Sequence, residues 1–105
     1  MSQVDLIAVI TVKPGKAERV VELLKELAVF VKENEPETLR YHINLDSKKD
    51  QIIMLETYAS KAAMGAHGQS KEFKAFQQKL ADEDLVGGPM ELKATKAMGG
   101  FESRL

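Results

Sequence analysis

From Val4 to Lys13 the chain alternates. Val4, Leu6, Ala8, Ile10 and Val12 fall on one side, and Asp5, Ile7, Val9, Thr11 and Lys13 on the other. A period of two predicts a strand. The middle of its second side is apolar as well, so both faces call for cover. Pro14-Gly15 ends it. From Lys16 to Asn34 the period becomes helical: Val20, Leu23, Leu24, Leu27 and Val31 recur on one face with Phe30 beside them, and charged residues fill the other. Asn34 and Pro36 supply the stop. Alternation returns over Thr38 to Asp46, where Leu39, Tyr41, Ile43 and Leu45 interleave with Thr38, Arg40, His42 and Asn44. The turn from Asp46 to Asp50 leads into another strand, Gln51 to Tyr58, so the pair predicts a hairpin. Ser60 is a good N-cap for a short helix through Ala62, Ala63 and Met64, which Gly65 and Gly68 are expected to interrupt. A helix from about Ser70 to Asp82 places Phe73, Phe76 and Leu80 on one face. Gly87-Gly88-Pro89 then breaks the chain before a last strand, Met90 to Met98.

The order is β-α-β-β-α-β, the ferredoxin-like split βαβ of the α+β class. The 105 residues suit one domain, with a core from about 4 to 98 and a tail over 99–105. The fold is two layers, helices on one face of a four-stranded antiparallel sheet and nothing on the other. The bare face carries apolar residues from the first and third strands, which makes it an expected association surface. A two-fold homodimer stacked sheet on sheet would cover it.

Composition narrows the chemistry. With 15 basic and 16 acidic residues the net charge is -1, so neither nucleic acid nor an anionic membrane is an expected partner. There are no cysteines, which removes disulfides and thiolate chemistry and fits a reducing compartment such as the cytoplasm. No stretch approaches the roughly 20 apolar residues that span a bilayer, and Met1 to Asp5 lacks the regions of a signal peptide. The two histidines sit on different elements, so no metal site is expected. Gly87-Gly88-Pro89 is a break before a strand and not a phosphate cradle.

The run Ile53-Met54-Leu55-Glu56-Thr57-Tyr58, then Ser60-Lys61-Ala62-Ala63, His67 and Phe73-Lys74-Ala75-Phe76, resembles the antibiotic biosynthesis monooxygenase (ABM) pattern: a strand ending in Glu-x-aromatic, a short helix, a His, and a helix with paired aromatics. The opening Ala8 to Lys16 is similar to that family's first strand and turn. The resemblance implies a dimeric α+β barrel with a pocket between helices and sheet, and a cofactor-free oxidation of a small phenol or quinol by O2. Other members degrade haem or act as isomerases, and many have no assigned activity, so fold alone does not fix function. A haem-degrading branch would place a histidine further into the last helix, where this chain has Phe73 and Phe76. Tyr58 stands where relatives often carry Trp.

His67 is the candidate proton acceptor, because a neutral imidazole can take a phenolic proton and leave an electron-rich phenolate; the alternative is a helix-end His bonded to a backbone carbonyl. Arg40, His42 and Asn44 share a strand face and are candidates for holding developing negative charge, or are simply solvated. Glu56 lies on a buried strand, where a carboxylate is paired or has a raised pKa; it would orient His67 or bind Arg40 across the hairpin. Glu56, Tyr58, Met64, Phe73 and Phe76 are the candidate substrate wall, although aromatics at helical spacing more often build core. The rival reading is a non-catalytic dimeric domain that binds a small apolar ligand or serves in stress, and a third is an O2-independent isomerase. Ser103-Arg104-Leu105 resembles a C-terminal peroxisomal address of the Ser-Lys-Leu type, which has meaning only in a eukaryote.

Overall fold

The computed structural model describes residues 2–105. Its elements are β1 (Val4–Thr11), α1 (Ala17–Asn34), β2 (Thr38–Leu45), β3 (Gln51–Tyr58), α2 (Lys61–Gln69), α3 (Lys71–Asp82) and β4 (Glu91–Thr95). The strands form one antiparallel sheet in the order β2-β3-β1-β4. This is the ferredoxin-like α+β arrangement, with the second helical segment divided in two.

The faces of the sheet follow from strand periodicity. In β3 the residues Ile52, Met54, Glu56 and Tyr58 are buried under the helices, while Gln51, Ile53, Leu55 and Thr57 face the open side half-covered. β1 pairs with β3 so that Ala8 lies opposite Met54 and Ile10 opposite Ile52, and this apolar block meets Val20, Leu23, Leu24, Leu27 and Val31 of α1. Phe76 and Leu80 of α3 and Leu85 beyond it complete the core. On the open side Ile7 pairs with Leu55 and Val9 with Ile53.

Three local features depart from the strict pattern. Gly65 and Gly68 do not interrupt α2. The helix runs through both, because Ser60 caps its start by accepting from the Ala63 N–H at 3.1 Å and a glycine in a short, tertiary-anchored helix costs only about 1 kcal/mol. In β2 the register shifts between Thr38 and Arg40, so that Thr38 pairs with Tyr58 and Arg40 with Thr57. This bulge turns Leu39 out of the alternation, and it is 50% exposed instead of joining Tyr41 and Ile43 beneath the helices. The last strand is shorter than Met90–Met98, and every residue of β4 is exposed. It pairs with one neighbour only, at the edge of the sheet. After β1, Val12 makes an isolated bridge to Val86, and Gly15 takes a φ of 77° that the turn into α1 requires.

Arg19 of α1 ties down the end of α3, with Nε and Nη2 each 2.8 Å from the Glu83 carboxylate. The guanidinium holds that carboxyl below its ordinary range. The pair is exposed, so packing carries most of the stability here. Truncating Leu24, which is 1% exposed, is expected to cost about 2–5 kcal/mol. Truncating Val29 on the same helix, 58% exposed, should shift stability by less than about 0.5 kcal/mol. Urea unfolding of Leu24→Ala and Val29→Ala checks both.

Candidate functional site

Where α1 stops, Glu35 is its C-cap residue, with its N–H bonded to the Val31 carbonyl at 2.8 Å. Pro36 follows, so the helix cannot continue, and the chain turns into β2. This turn points the Glu35 side chain back toward α2. Its Oε1 accepts from the Thr38 hydroxyl at 2.9 Å and lies 3.0 Å from Nδ1 of His67, with Oε2 at 3.2 Å from the same nitrogen.

His67 stands in the last turn of α2 and is 4% exposed. Its carbonyl accepts from the Ser70 hydroxyl at 2.8 Å, and the same hydroxyl oxygen accepts from the Phe73 N–H at 3.1 Å to cap α3. The ring is enclosed by aromatics. Tyr41 meets it edge-on at 5.1 Å between centroids, Phe73 at 5.0 Å and Tyr58 at 5.8 Å. A carboxylate only accepts hydrogen bonds, so Nδ1 is the donor to Glu35, and in the neutral ring the lone pair is then at Nε2. That nitrogen is buried and has no hydrogen-bond partner. Unpaired polar atoms in a protein interior are uncommon and call for a reason.

Beside the imidazole lies a second polar pair on β3. The Tyr58 hydroxyl donates to Oε1 of Glu56, and Glu56 is 7% exposed. Burial raises the Glu56 pKa above its ordinary value, and the Tyr58 hydrogen bond and the charge of His67 oppose the rise only in part. Tyr41 and Tyr58 are both pushed up, by burial first and then by the neighbouring carboxylates, so their phenols stay protonated. The result is a buried polar cluster of Glu35, Tyr41, Glu56, Tyr58 and His67 under the helices.

The sequence candidates therefore separate. His67, Glu56, Tyr58 and Phe73 come together on the helix side. Phe76, 4% exposed, belongs to the hydrophobic core, and Met64 is half-buried on α2. Arg40, His42 and Asn44 lie on the opposite side of the sheet, where His42 pairs with Leu55 and Asn44 with Ile53. Within one chain they do not meet His67, because a strand sends alternate side chains to opposite faces. Arg40 instead borders a groove of about 840 Å³ between the open face and the returning tail, where Glu102 and Ser103 contribute. Glu56 takes neither role expected of it: its partner is Tyr58, and the carboxylate that orients His67 is Glu35. Glu35 and Tyr41 are the members that sequence reasoning missed. For Glu35 the usable signal was an acidic residue between a helix stop and a proline.

Near the cluster, a cleft of about 290 Å³ opens between the end of α1 and α2. Glu35 is on its wall, together with Phe30, Pro36, Ala63 and Ala66.

A carboxyl whose folded pKa is raised contributes stability that is complete below its unfolded value of about 4.3 and is lost as pH rises through the folded value. Glu56 is such a group. Removing its charge in Glu56→Gln should therefore help more at higher pH. The difference in unfolding free energy, variant minus wild type, is expected to increase from pH 4 upward, read by thermal or urea unfolding across the range. A flat difference would show that Glu56 ionises at no cost in the fold.

The model of the family described as antibiotic biosynthesis monooxygenase matches residues 4–79. No protein of curated function matches the chain. Among solved structures, a Caulobacter crescentus protein provisionally named an antibiotic biosynthesis monooxygenase is 28% identical, with 92% of this chain and 91% of that one covered at a TM-score of 0.81. A Pseudomonas aeruginosa protein (24% identical, 94% and 97% covered, TM-score 0.81) and a Mycobacterium tuberculosis protein (17% identical, 96% and 100% covered, TM-score 0.81) share the fold. With a family match over residues 4–79, and helix–sheet geometry that superimposes along nearly the whole of these relatives, the chain belongs to the antibiotic biosynthesis monooxygenase family.

Proposed function

We propose that the protein is a homodimeric monooxygenase that oxidises a small phenol or quinol with O2, using His67 as proton acceptor and Glu35 to orient it. The observation that carries this reading is the buried Nε2 of His67, unpartnered while Nδ1 is held by a carboxylate. That is the arrangement of a general base: one nitrogen fixed, the other open to take a proton. Loss of the phenolic proton to Nε2 makes the ring an electron donor to O2. For a 1,4-diphenol the products balance as a hydroxyquinone and one water, one oxygen atom entering the ring and the other leaving. The proton on Nε2 returns to the departing oxygen. Tyr41, protonated and in edge contact with the imidazole, is the nearest hydroxyl to donate to developing charge.

Access to Nε2 lies through α2. Only Ala63 and His67 of that helix are buried, whereas α1 buries Ala17, Val20, Leu23, Leu24, Leu27 and Val31. A helix so lightly seated is the part that opens most easily. The sealed imidazole also favours a second reading, a non-catalytic domain that binds a small ligand in the neighbouring cleft.

Oxygen uptake by the purified protein with 1,4-dihydroxybenzene or an anthrone, above the spontaneous rate, tests the first reading. His67→Ala should lower the catalysed rate by about 10²–10⁴-fold, and Glu35→Gln should lower it less. Full turnover in His67→Ala would remove His67 from the mechanism, and the absence of uptake with any substrate would select the binding reading.

The dimer is argued from the open face. Ile7, Val9, Ile53 and Leu55 form an apolar centre, and His42, Asn44, Glu91 and Lys93 flank it on the outer strands. An apolar centre with a polar rim is the anatomy of a protein interface. Sedimentation should give a dimer for the wild type and a folded monomer for Ile53→Asp.

A further inference from the structure

We infer that the cleft between the end of α1 and α2 is the seat of the substrate before it reaches the imidazole, and that it takes a neutral phenol of one or two rings bearing more than one hydroxyl. The inference rests on the proposed function for the identity of the reaction, and on the cleft itself for the class of molecule.

Size sets the first limit. An apolar cavity of about 150 Å³ holds benzene, so about 290 Å³ accommodates a substituted ring or two fused rings and excludes longer polycycles. The small side chains of Ala63 and Ala66 create that room. They lie on the flank of α2, one and four residues before His67, so the cleft borders the helix that carries the base.

Charge sets the second limit. No Lys, Arg or His lines the cleft, while Glu35 and Glu37 both do. It also lies at the C-terminal end of α1, where the helix presents unpaired carbonyl oxygens and the negative end of its dipole. The lining is rich in hydrogen-bond acceptors and repels anions. Phe30 and Pro36 give the ring an apolar wall. A ligand suited to this site is flat, uncharged and a hydrogen-bond donor. One hydroxyl donates to the Glu35 carboxylate, which already accepts from Thr38 and His67 and retains free lone pairs. A phenol with a carboxylate of its own is excluded.

The test is an anaerobic titration of the ¹⁵N-labelled protein, followed by NMR. The probes are 1,4-dihydroxybenzene, 4-hydroxybenzoate and a ring bearing a primary amine. Expected are shifts at the amides of 34–38 and 63–70 with the diphenol, and binding at least about tenfold weaker for the carboxylate. Ala66→Leu should weaken the diphenol by a similar factor while the His67 resonances stay in place; Ala63→Val, a smaller filling, guards against misfolding of the first variant. Equal binding of 4-hydroxybenzoate, tighter binding of the amine than of the diphenol, shifts confined to another surface, or unchanged binding in both variants would each overturn the inference. Diphenol binding here without oxygen uptake would sink the monooxygenase reading and leave the cleft standing. Turnover with a KM unmoved by Ala66→Leu would do the reverse.

Discussion

The contact between Glu35 and His67 joins parts of the chain that are 32 residues apart, the end of α1 and the last turn of α2. Neither group tolerates this position alone. An imidazole at 4% exposure loses its water, and without a partner on Nδ1 it would leave both ring nitrogens unpaired. A carboxylate at a helix C-terminus faces the negative end of the dipole and is disfavoured there unless another group holds it. Together each supplies what the other lacks, and Thr38 on β2 fixes the geometry from a third element. α2 is otherwise lightly held, so this contact largely decides where the helix sits, and with it where Nε2 points.

The sheet imposes the complementary constraint. Because alternate residues of β3 point to opposite sides, one eight-residue strand presents Met54, Glu56 and Tyr58 to the helices and Ile53, Leu55 and Thr57 to the outside. The inner set mixes core and chemistry: Ile52 and Met54 pack beneath α1, and two residues further on the same face becomes polar with Glu56 and Tyr58. The bulge at Leu39 lies at that transition, opposite Thr57, where β2 departs from strict pairing. The sheet is regular where it supports core and irregular where it borders the cluster, which is where bulges tend to fall.

The strands, the long helix and the open apolar face were legible because each rests on a repeating period. Val20, Leu24 and Val31 could be assigned inward from spacing alone, and all three are buried. His67 was legible as a candidate through its place in a family-like order of residues. Its partner was not. Glu35 sits in a connection, with no period to mark its direction, and its role depends on a helix that starts 26 residues later. The separation of Arg40, His42 and Asn44 from His67 was implicit in strand alternation, since the apolar partners Tyr41 and Ile43 were assigned inward. What sequence could not supply was the side of the sheet on which the short helix would lay its histidine. Leu39 and the two helical glycines show the same limit: a local rule yields where tertiary contacts hold the backbone in another state.

The two faces of β3 are mechanically one object, and that links association to the site. A side chain on the open face and its neighbour on the helix face share a backbone that pairs on both sides, with β1 and with β2. Covering Ile53 and Leu55 with a second copy would leave β3 enclosed by helices on one side and protein on the other, so the strand carrying Glu56 and Tyr58 would lose the freedom that a solvent-facing sheet retains. The polar cluster depends on distances of about 3 Å, and such geometry is held only by a stiff support. Flexibility is then left to α2, the one wall of the cluster built from alanines, glycines and a single anchored histidine. The rigid wall positions the acceptors and the soft wall admits the ligand. The same short sequence, Ala63 to Gly68, both seals the base and makes the seal weak enough to open.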